Sequence, residues 1–372
     1  MDINISLVMI VKNENNIILR CLNSCINYID RIYITDTGST DDTVESIKQF
    51  MFKNNIEGKV FKSKLIQEFN FQDYRNESYQ NAKNELKGKN YFLLLLDADM
   101  IFHSTLTKEE IKKLIHKYTL CEINQIENGN MYSNIRFING KYKWECKCYT
   151  HEFWRTKSMF PSEIIISKDI IWIEDISDGN NKSDKYERDL RLLNIGYEQE
   201  REPEIKSRYE FYTALTLYAL ERYSESINWF NKRIQSGNWM EEVYYSKYMI
   251  GRITNKRDDY IEAWLYNPKR AESLYWLCLS EMNNNIFNDN KFITQKCILV
   301  WMYCKWMIKL EIPKCKLFIE KDIYEYKIKY LLYITSFYAQ DEECRKLYDE
   351  LMKISDLQYK TAVINFRKKY EW

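Results

Sequence analysis

A run of apolar residues, Tyr91-Phe92-Leu93-Leu94-Leu95-Leu96, leads directly into Asp97-Ala98-Asp99. A short apolar run bounded by polar sequence reads as a strand buried on both faces. In an extended backbone, residues two apart point the same way. Asp97 and Asp99 are therefore expected to converge, with Ala98 facing away. Like charges that close resist joint ionisation unless a cation lies between them. A hard divalent ion with oxygen ligands answers that need, and Mg²⁺-type sites hold substrate phosphates with one or two carboxylates. The plainer alternative is a strand end whose acids are solvated.

The elements before this junction alternate between the two periodicities. Ile5–Val11 reads as a strand that ends at Lys12-Asn13-Glu14-Asn15, and Ile17, Ile18, Cys21, Leu22 and Cys25 recur at helical spacing. Asn15 or Asn16 is suited to cap that helix. Arg31–Ile34 is a second strand, closed by Asp36-Thr37-Gly38-Ser39-Thr40-Asp41-Asp42, a stretch rich in residues that bond their own backbone. A helix with Val44, Ile47 and Phe50 inward follows, then a third strand at Val60–Phe61 and a fourth at Tyr91–Leu96. Such alternation predicts an α/β fold with parallel strands and right-handed crossovers. Ligands gather at the carboxyl ends of the strands in such sheets. Lys12–Glu14, Asp36 and the Asp97/Asp99 pair all fall on that edge. After the Thr107–Tyr118 helix, β-like stretches at Met131–Ile138, Tyr142–Thr150 and Ile164–Trp172 are expected to attach to the sheet.

The chain has 372 residues, too many for one typical core, so two domains are expected. Its 55 basic and 54 acidic side chains nearly cancel, which removes a general electrostatic attraction for nucleic acid or an acidic membrane. Its ten cysteines include no CxxC pair and no zinc-like His/Cys spacing, so a reducing compartment is the default reading. No stretch has the length and apolarity of a membrane span or of a secretory leader. The reading is a soluble, cytoplasmic protein. From about Lys182 the pattern becomes all-helical. Ser207–Leu220 with Ser224–Ile234, and Glu241–Thr254 with Asp258–Tyr266, read as helix pairs. Further helices are expected over Arg270–Met282, Asn290–Trp306, Glu320–Ala339, Glu342–Ile354 and Tyr359–Tyr370. Small Ala214 and Ser226 and bulky Leu217 and Phe230 stand about where tetratricopeptide helices meet. A non-repetitive helical bundle is the alternative, and the aromatic stripes are core first of all.

Six segments in order resemble glycosyltransferases of the GT-A fold, family 2 type, with a tetratricopeptide-like C-terminal region. They are SLVMIVKNEN, YITDTGSTDDTVESI, FNFQDYRNESYQNAK, LLLLDADM, YKWECKCYTHEFW and SDGNNKSDKYERDLRLL. The segment before Asp178-Gly179 often carries a His in related chains, and here it reads Glu174-Asp175-Ile176. The resemblance implies a Rossmann-like nucleotide-sugar-binding domain over residues 1–185 and an all-α helical-repeat domain over 186–372. It implies transfer of a sugar from a nucleotide diphosphate, UDP above all, to an acceptor hydroxyl, with Mn²⁺ or Mg²⁺ as cofactor. Asp99 is the first-choice metal ligand, Asp97 its partner on ribose or metal, and His151, one of only three histidines, a further ligand. Asp36 is expected to accept the uracil imide N–H, with Lys12, Asn13 and Glu14 under base and ribose. Arg75 and Asn76 are expected to hold the diphosphate or to position the strand. Lys182 and Lys185 either close over the diphosphate or simply open a solvated helix.

An inverting transfer needs one base within about 2.6–3.2 Å of the acceptor hydroxyl. A retaining transfer needs other chemistry on the opposite sugar face. Glu152 is the first candidate base, Asp178 the second and Asp175 the third. A helical-repeat scaffold that keeps an inactive nucleotide-sugar-binding domain is the competing reading. A nucleotidyltransferase is disfavoured because Lys12–Arg20 lacks the glycines of a phosphate loop. The helical half is expected to offer a surface to an acceptor or a protein partner. The acceptor, whether glycan, protein or lipid-linked, is not named by the sequence.

Overall fold

The computed structural model describes residues 3–66, 69–127, 130–157, 161–179, 185–283, 290–313 and 317–371. The chain divides into two units, residues 1–220 and 221–372. In the first, the elements run β1 (Asn4–Val11), α1 (Ile18–Cys25), β2 (Arg31–Asp36), α2 (Thr43–Lys53), β3 (Glu57–Lys62), α3 (Phe71–Glu85), β4 (Tyr91–Leu95), β5 (Met100–Ser104) and α4 (Lys108–Ile115). They continue through β6 (Leu120–Glu127), β7 (Asn130–Asn139), β8 (Trp144–Lys147), β9 (Phe153–Thr156), β10 (Glu163–Ile166), β11 (Ile171–Asp175), α5 (Lys185–Gln199) and α6 (Pro203–Ala219).

Strand order in the main sheet is β3-β2-β1-β4-β7-β6-β11-β5, with β10 also paired to β6. The first four strands are mutually parallel, as the alternation of strand and helix predicts. β7 then runs antiparallel to both β4 and β6, and β5 antiparallel to β11, so the sheet is mixed. This is the curled sheet of a GT-A-type α/β domain, followed by a many-helix region. β8 and β9 form a separate hairpin.

Period-two alternation fixes the two cores. Ile5, Leu7, Met9 and Val11 of β1 join Phe92, Leu94 and Leu96 beneath α1, α2 and α4. Val8, Tyr91, Leu93 and Leu95 face the other way, into a cluster with Tyr79, Ala82 and Leu86 at the α3 side. A strand covered on both faces has no room for polar side chains until it leaves the core, which is why acids begin at residue 97. Helix caps are local: the Asn70 side chain accepts from Asp73 N at the start of α3, and Thr107 with Glu110 forms a capping box on α4.

The structure differs from expectation at several elements. The Tyr142–Thr150 stretch is a strand only over Trp144–Lys147, because Cys148 takes a φ of 77° that ends the extended run. β5, β6 and β9 are not apparent in the sequence, since their mixed polar composition gives no clean alternation.

α5 and α6 pack closely within the first unit. A Cβ at Gly196 would overlap the Tyr209 ring, whose hydroxyl accepts the Tyr149 N–H at 2.9 Å. That contact ties the helix pair to the segment after β8.

The second unit comprises α7 (Tyr223–Ser236), α8 (Met240–Thr254), α9 (Arg257–Tyr266), α10 (Glu272–Asn283), α11 (Asn290–Met307), α12 (Ile328–Ala339), α13 (Leu347–Leu351) and α14 (Leu357–Tyr370). Each helix from α7 to α12 packs on the next, which accords with stacked helix pairs. Ser226 and Phe230 of α7 are buried, and so, in the first unit, are Ala214 and Leu217 of α6. Two fully buried ion pairs hold corners of this unit: Arg233 with Glu242 at 2.8 Å, and Arg270 with Glu272 at 2.7 Å. Among the described residues no helix is long and apolar enough to cross a membrane.

Gly196→Ala should lower stability by about 1–3 kcal/mol through overpacking against Tyr209. Urea unfolding followed by circular dichroism measures it, and an unchanged midpoint would show that the helix pair yields freely.

Candidate active site

Two loops at the carboxyl edge of the parallel strands are laced together. Asn13 N donates to Ser39 Oγ (2.9 Å), Thr40 N to Asn13 Oδ1 (2.7 Å), Glu14 N to Thr43 Oγ1 (2.8 Å) and Asn15 N to Asp41 Oδ2 (3.2 Å). The lacing holds Asn13 at a left-handed φ of 57°. Asp36 closes β2 beside Val11, nearly buried, and its Oδ1 accepts Ser39 N at 3.0 Å. Lys12 is exposed at the mouth of the same loop. Lys12, Asn13, Glu14 and Asp36 are thus brought to one edge, as expected.

β4 stops at Leu95, and the next residues turn instead of remaining extended: Met100 N donates to Asp97 O at 3.1 Å. Ala98 is buried in the lower core, as expected, but the two aspartates enter different surroundings. Arg75 on α3 donates from Nη2 to Asp97 Oδ1 at 2.8 Å and from Nε to Glu152 Oε1 at 2.6 Å. Arg136 of β7 lies 3.7 Å from Asp97 Oδ2 and is itself held by Gln125 and the Leu95 carbonyl. Burial alone would raise the Asp97 carboxyl. Arg75 and then Arg136 outweigh it and hold Asp97 below the ordinary carboxylate range.

Asp99 has the opposite environment. Burial first, then the neighbouring carboxylates of Asp97 and Asp175, push its pKa up to about 6. Among the described residues no cation lies within ion-pair distance of it. Gly179 passes close to Asp99 and to Glu14, so a Cβ there would touch both carboxylates. Asp175 ends β11; burial raises its carboxyl, opposed by hydrogen bonds from Ser177 N and Oγ, both at 3.0 Å. Ser177 Oγ also reaches Glu127 at 2.7 Å. Asp178 is held by a two-pronged bond from Arg20 of α1, at 2.6 and 2.8 Å.

The remaining expected residues divide. Both ends of the Asn76 amide are spent on the Cys146 backbone, at 2.8 and 2.9 Å, so Asn76 positions β8. His151 sits at a φ of 53°, its ring stacked 4.2 Å from Tyr212 and its carbonyl held by Arg208. Burial, with Arg208 and Lys185 nearby, lowers its pKa to about 3, so the imidazole is neutral. Among the described residues no three His, Cys, Asp or Glu side chains form a cation cage. Lys185 is exposed at the start of α5, and Lys182 lies outside the described residues.

Sequence reasoning missed Arg136, Gln125 and Arg20. Arg136 carried a signal: an arginine between Ile135 and Phe137 in a strand must find partners if buried. Arg20 carried none, since an exposed-looking cation on a helix is ordinary.

Residues 6–160 match the family described as Glycosyl transferase family 2. The chain is 25% identical over 274 residues to the SPbeta prophage-derived glycosyltransferase SunS of Bacillus subtilis (strain 168), covering 69% of this chain and 60% of that one. Glycosyltransferase SunS of Bacillus phage SPbeta aligns with the same figures. The match therefore spans about 60% of the length of these curated relatives. Similar solved structures include S. aureus TarS, 14% identical with a TM-score of 0.39, covering 72% of this chain and 55% of that chain. Another is S. aureus TarS 1–349 in complex with UDP, 11% identical with a TM-score of 0.29, covering 92% and 87% of the two chains.

Arg75→Met leaves Asp97 and Glu152 without their shared cation. It should destabilise the fold by about 3–5 kcal/mol, the range for removing one partner of a buried ion pair. Glu152→Gln keeps the Arg75–Asp97 bond and should cost clearly less. Chemical denaturation of both variants checks the order, and equal losses would contradict it.

Proposed function

We propose that the chain is an inverting, hexosyltransferase-type glycosyltransferase that moves a sugar from a UDP-sugar to an acceptor hydroxyl with Mn²⁺ or Mg²⁺. The reading is carried by one observation. Inside a segment that matches family 2, the β1, β2 and β4 ends bring Asn13, Asp36 and Asp99 to one edge, where Asp99 is an acid without a cation among the described residues.

Asp36 offers a carboxylate oxygen to the uracil imide N–H, since Ser39 N occupies only Oδ1. The laced Asn13–Glu14 loop forms the floor for base and ribose. The donor set near Asp99 suits a hard divalent ion, because added positive charge would relieve the crowding among Asp99, Asp97 and Asp175. Asp99 would hold the ion, with Asp97 alongside. With so few protein ligands, diphosphate oxygens and water would complete the shell, as is usual for such ions. When bound, the ion supplies Lewis-acid stabilisation of the leaving diphosphate. His151 is fit to ligate as a neutral ring, although the described carboxylates do not form a cage with it. Lys182 and Lys185 remain candidates to cover the diphosphate.

For the base, the geometry favours a different order from that of the sequence. Glu152 is committed to Arg75 and Asp178 to Arg20, so both carboxylates are turned to guanidinium partners and not to an acceptor hydroxyl. Asp175 has no cationic partner among the described residues, and burial raises its carboxyl. We assign it the acceptor proton, with Glu152 and Asp178 as anchors.

A hydrolysis screen of nucleotide sugars with Mn²⁺, Mg²⁺ or chelator tests the proposal. One UDP-sugar should be cleaved only with metal, and Asp99→Asn should abolish that cleavage. Asp175→Asn should lower transfer by about 10²–10⁴-fold, the typical contribution of a general base, while UDP still binds. If no nucleotide sugar is cleaved and UDP binding ignores metal, the reading of an inactive scaffold replaces this one.

A further inference from the structure

Tyr333 on α12 is 1% exposed, and its hydroxyl has no hydrogen-bond partner among the described residues. Leaving such a group unmatched is unfavourable, so an unpaired buried hydroxyl beside a cavity calls for explanation. Tyr333 borders a cavity of about 410 Å³, lined also by Arg345, Tyr348, Asp349, Arg367, Lys368 and Glu371. Three cations face two carboxylates there. Arg367 lies over the Tyr348 ring, 4.0 Å from its centroid, a cation–π contact. Among the described residues no carboxylate is within ion-pair distance of Arg367 or Lys368. The volume lies within the usual range for small-molecule pockets, about 300–1,000 Å³.

We propose that this cavity binds a phosphoryl group, either as free phosphate or on a molecule of sugar size. A guanidinium fork matches phosphate oxygens in pairs, and Lys368 adds a mobile point charge. The tyrosine rings provide flat apolar surface for an attached carbon skeleton. The site lies wholly in the second unit and does not rest on the transferase reading, so either can fail alone.

Calorimetric titration of the full chain with inorganic phosphate and with glucose 6-phosphate, in chelator, tests it. Wild type should bind saturably, and tighter binding of glucose 6-phosphate would assign the site to organic phosphates, equal binding to the bare anion. Arg367→Gln should weaken binding by about tenfold or more, as loss of a charge-assisted bond implies. Without ligand, Tyr333→Phe should melt no lower than wild type, because it removes an unpaired hydroxyl. Asp99→Asn should leave phosphate binding unchanged. Absence of saturable binding, equal binding by Arg367→Gln and wild type, or loss of binding in Asp99→Asn would each overturn the proposal.

Discussion

One guanidinium joins three separate pieces of chain. Arg75 comes from α3, Asp97 from the turn after β4 and Glu152 from the segment before β9. Arginine stays charged at any working pH, and beside it the Asp97 carboxyl is held below the ordinary carboxylate range. Its position is set by backbone anchors on the same helix: Phe71 N to Tyr149 O, Ser78 Oγ to Met9 O, and the Asn76 amide on Cys146. Moving α3 would disturb the acid pair, the hairpin and β1 together.

This constraint separates two aspartates that the sequence presents as equals. Asp97 is neutralised from within the protein. Asp99, two residues on, faces acids and has no matching cation among the described residues. Charge left unbalanced by the fold is available for a ligand, and positive-φ backbone at Asn13, His151 and Ser177 falls in the loops bordering the same acids. Strain of that kind persists only where surrounding bonds impose it, and here the lacing of Asn13 to Ser39 and Thr40 supplies some of those bonds.

The parallel half of the sheet was legible because β1, β2 and β4 are mostly apolar runs that end sharply in polar residues. The carboxyl edge was legible for the same reason, and it located Asp36, Asp97 and Asp99 without further information. The antiparallel strands β5 and β6 were not, since residues such as His103, Glu122 and Gln125 interrupt their alternation. The convergence of Asp97 and Asp99 presumed an extended backbone, and the turn at Asp97–Met100 is a local choice that no residue type announces. The engagement of Glu152 and Asp178 by Arg75 and Arg20 was hidden as well. Their separations along the chain, 77 and 158 residues, lie beyond any local pattern.

The central proposal is that Asp97 belongs to the arginine clamp while Asp99 would receive a divalent cation. Anomalous diffraction from a crystal soaked with Mn²⁺ and UDP tests it most directly. The account predicts a manganese peak at the Asp99 carboxylate, bridged to the diphosphate, with the Arg75–Asp97 bond intact. A peak on Asp97 with Arg75 displaced, or Asp99 turned into solvent with no metal beside it, would contradict it.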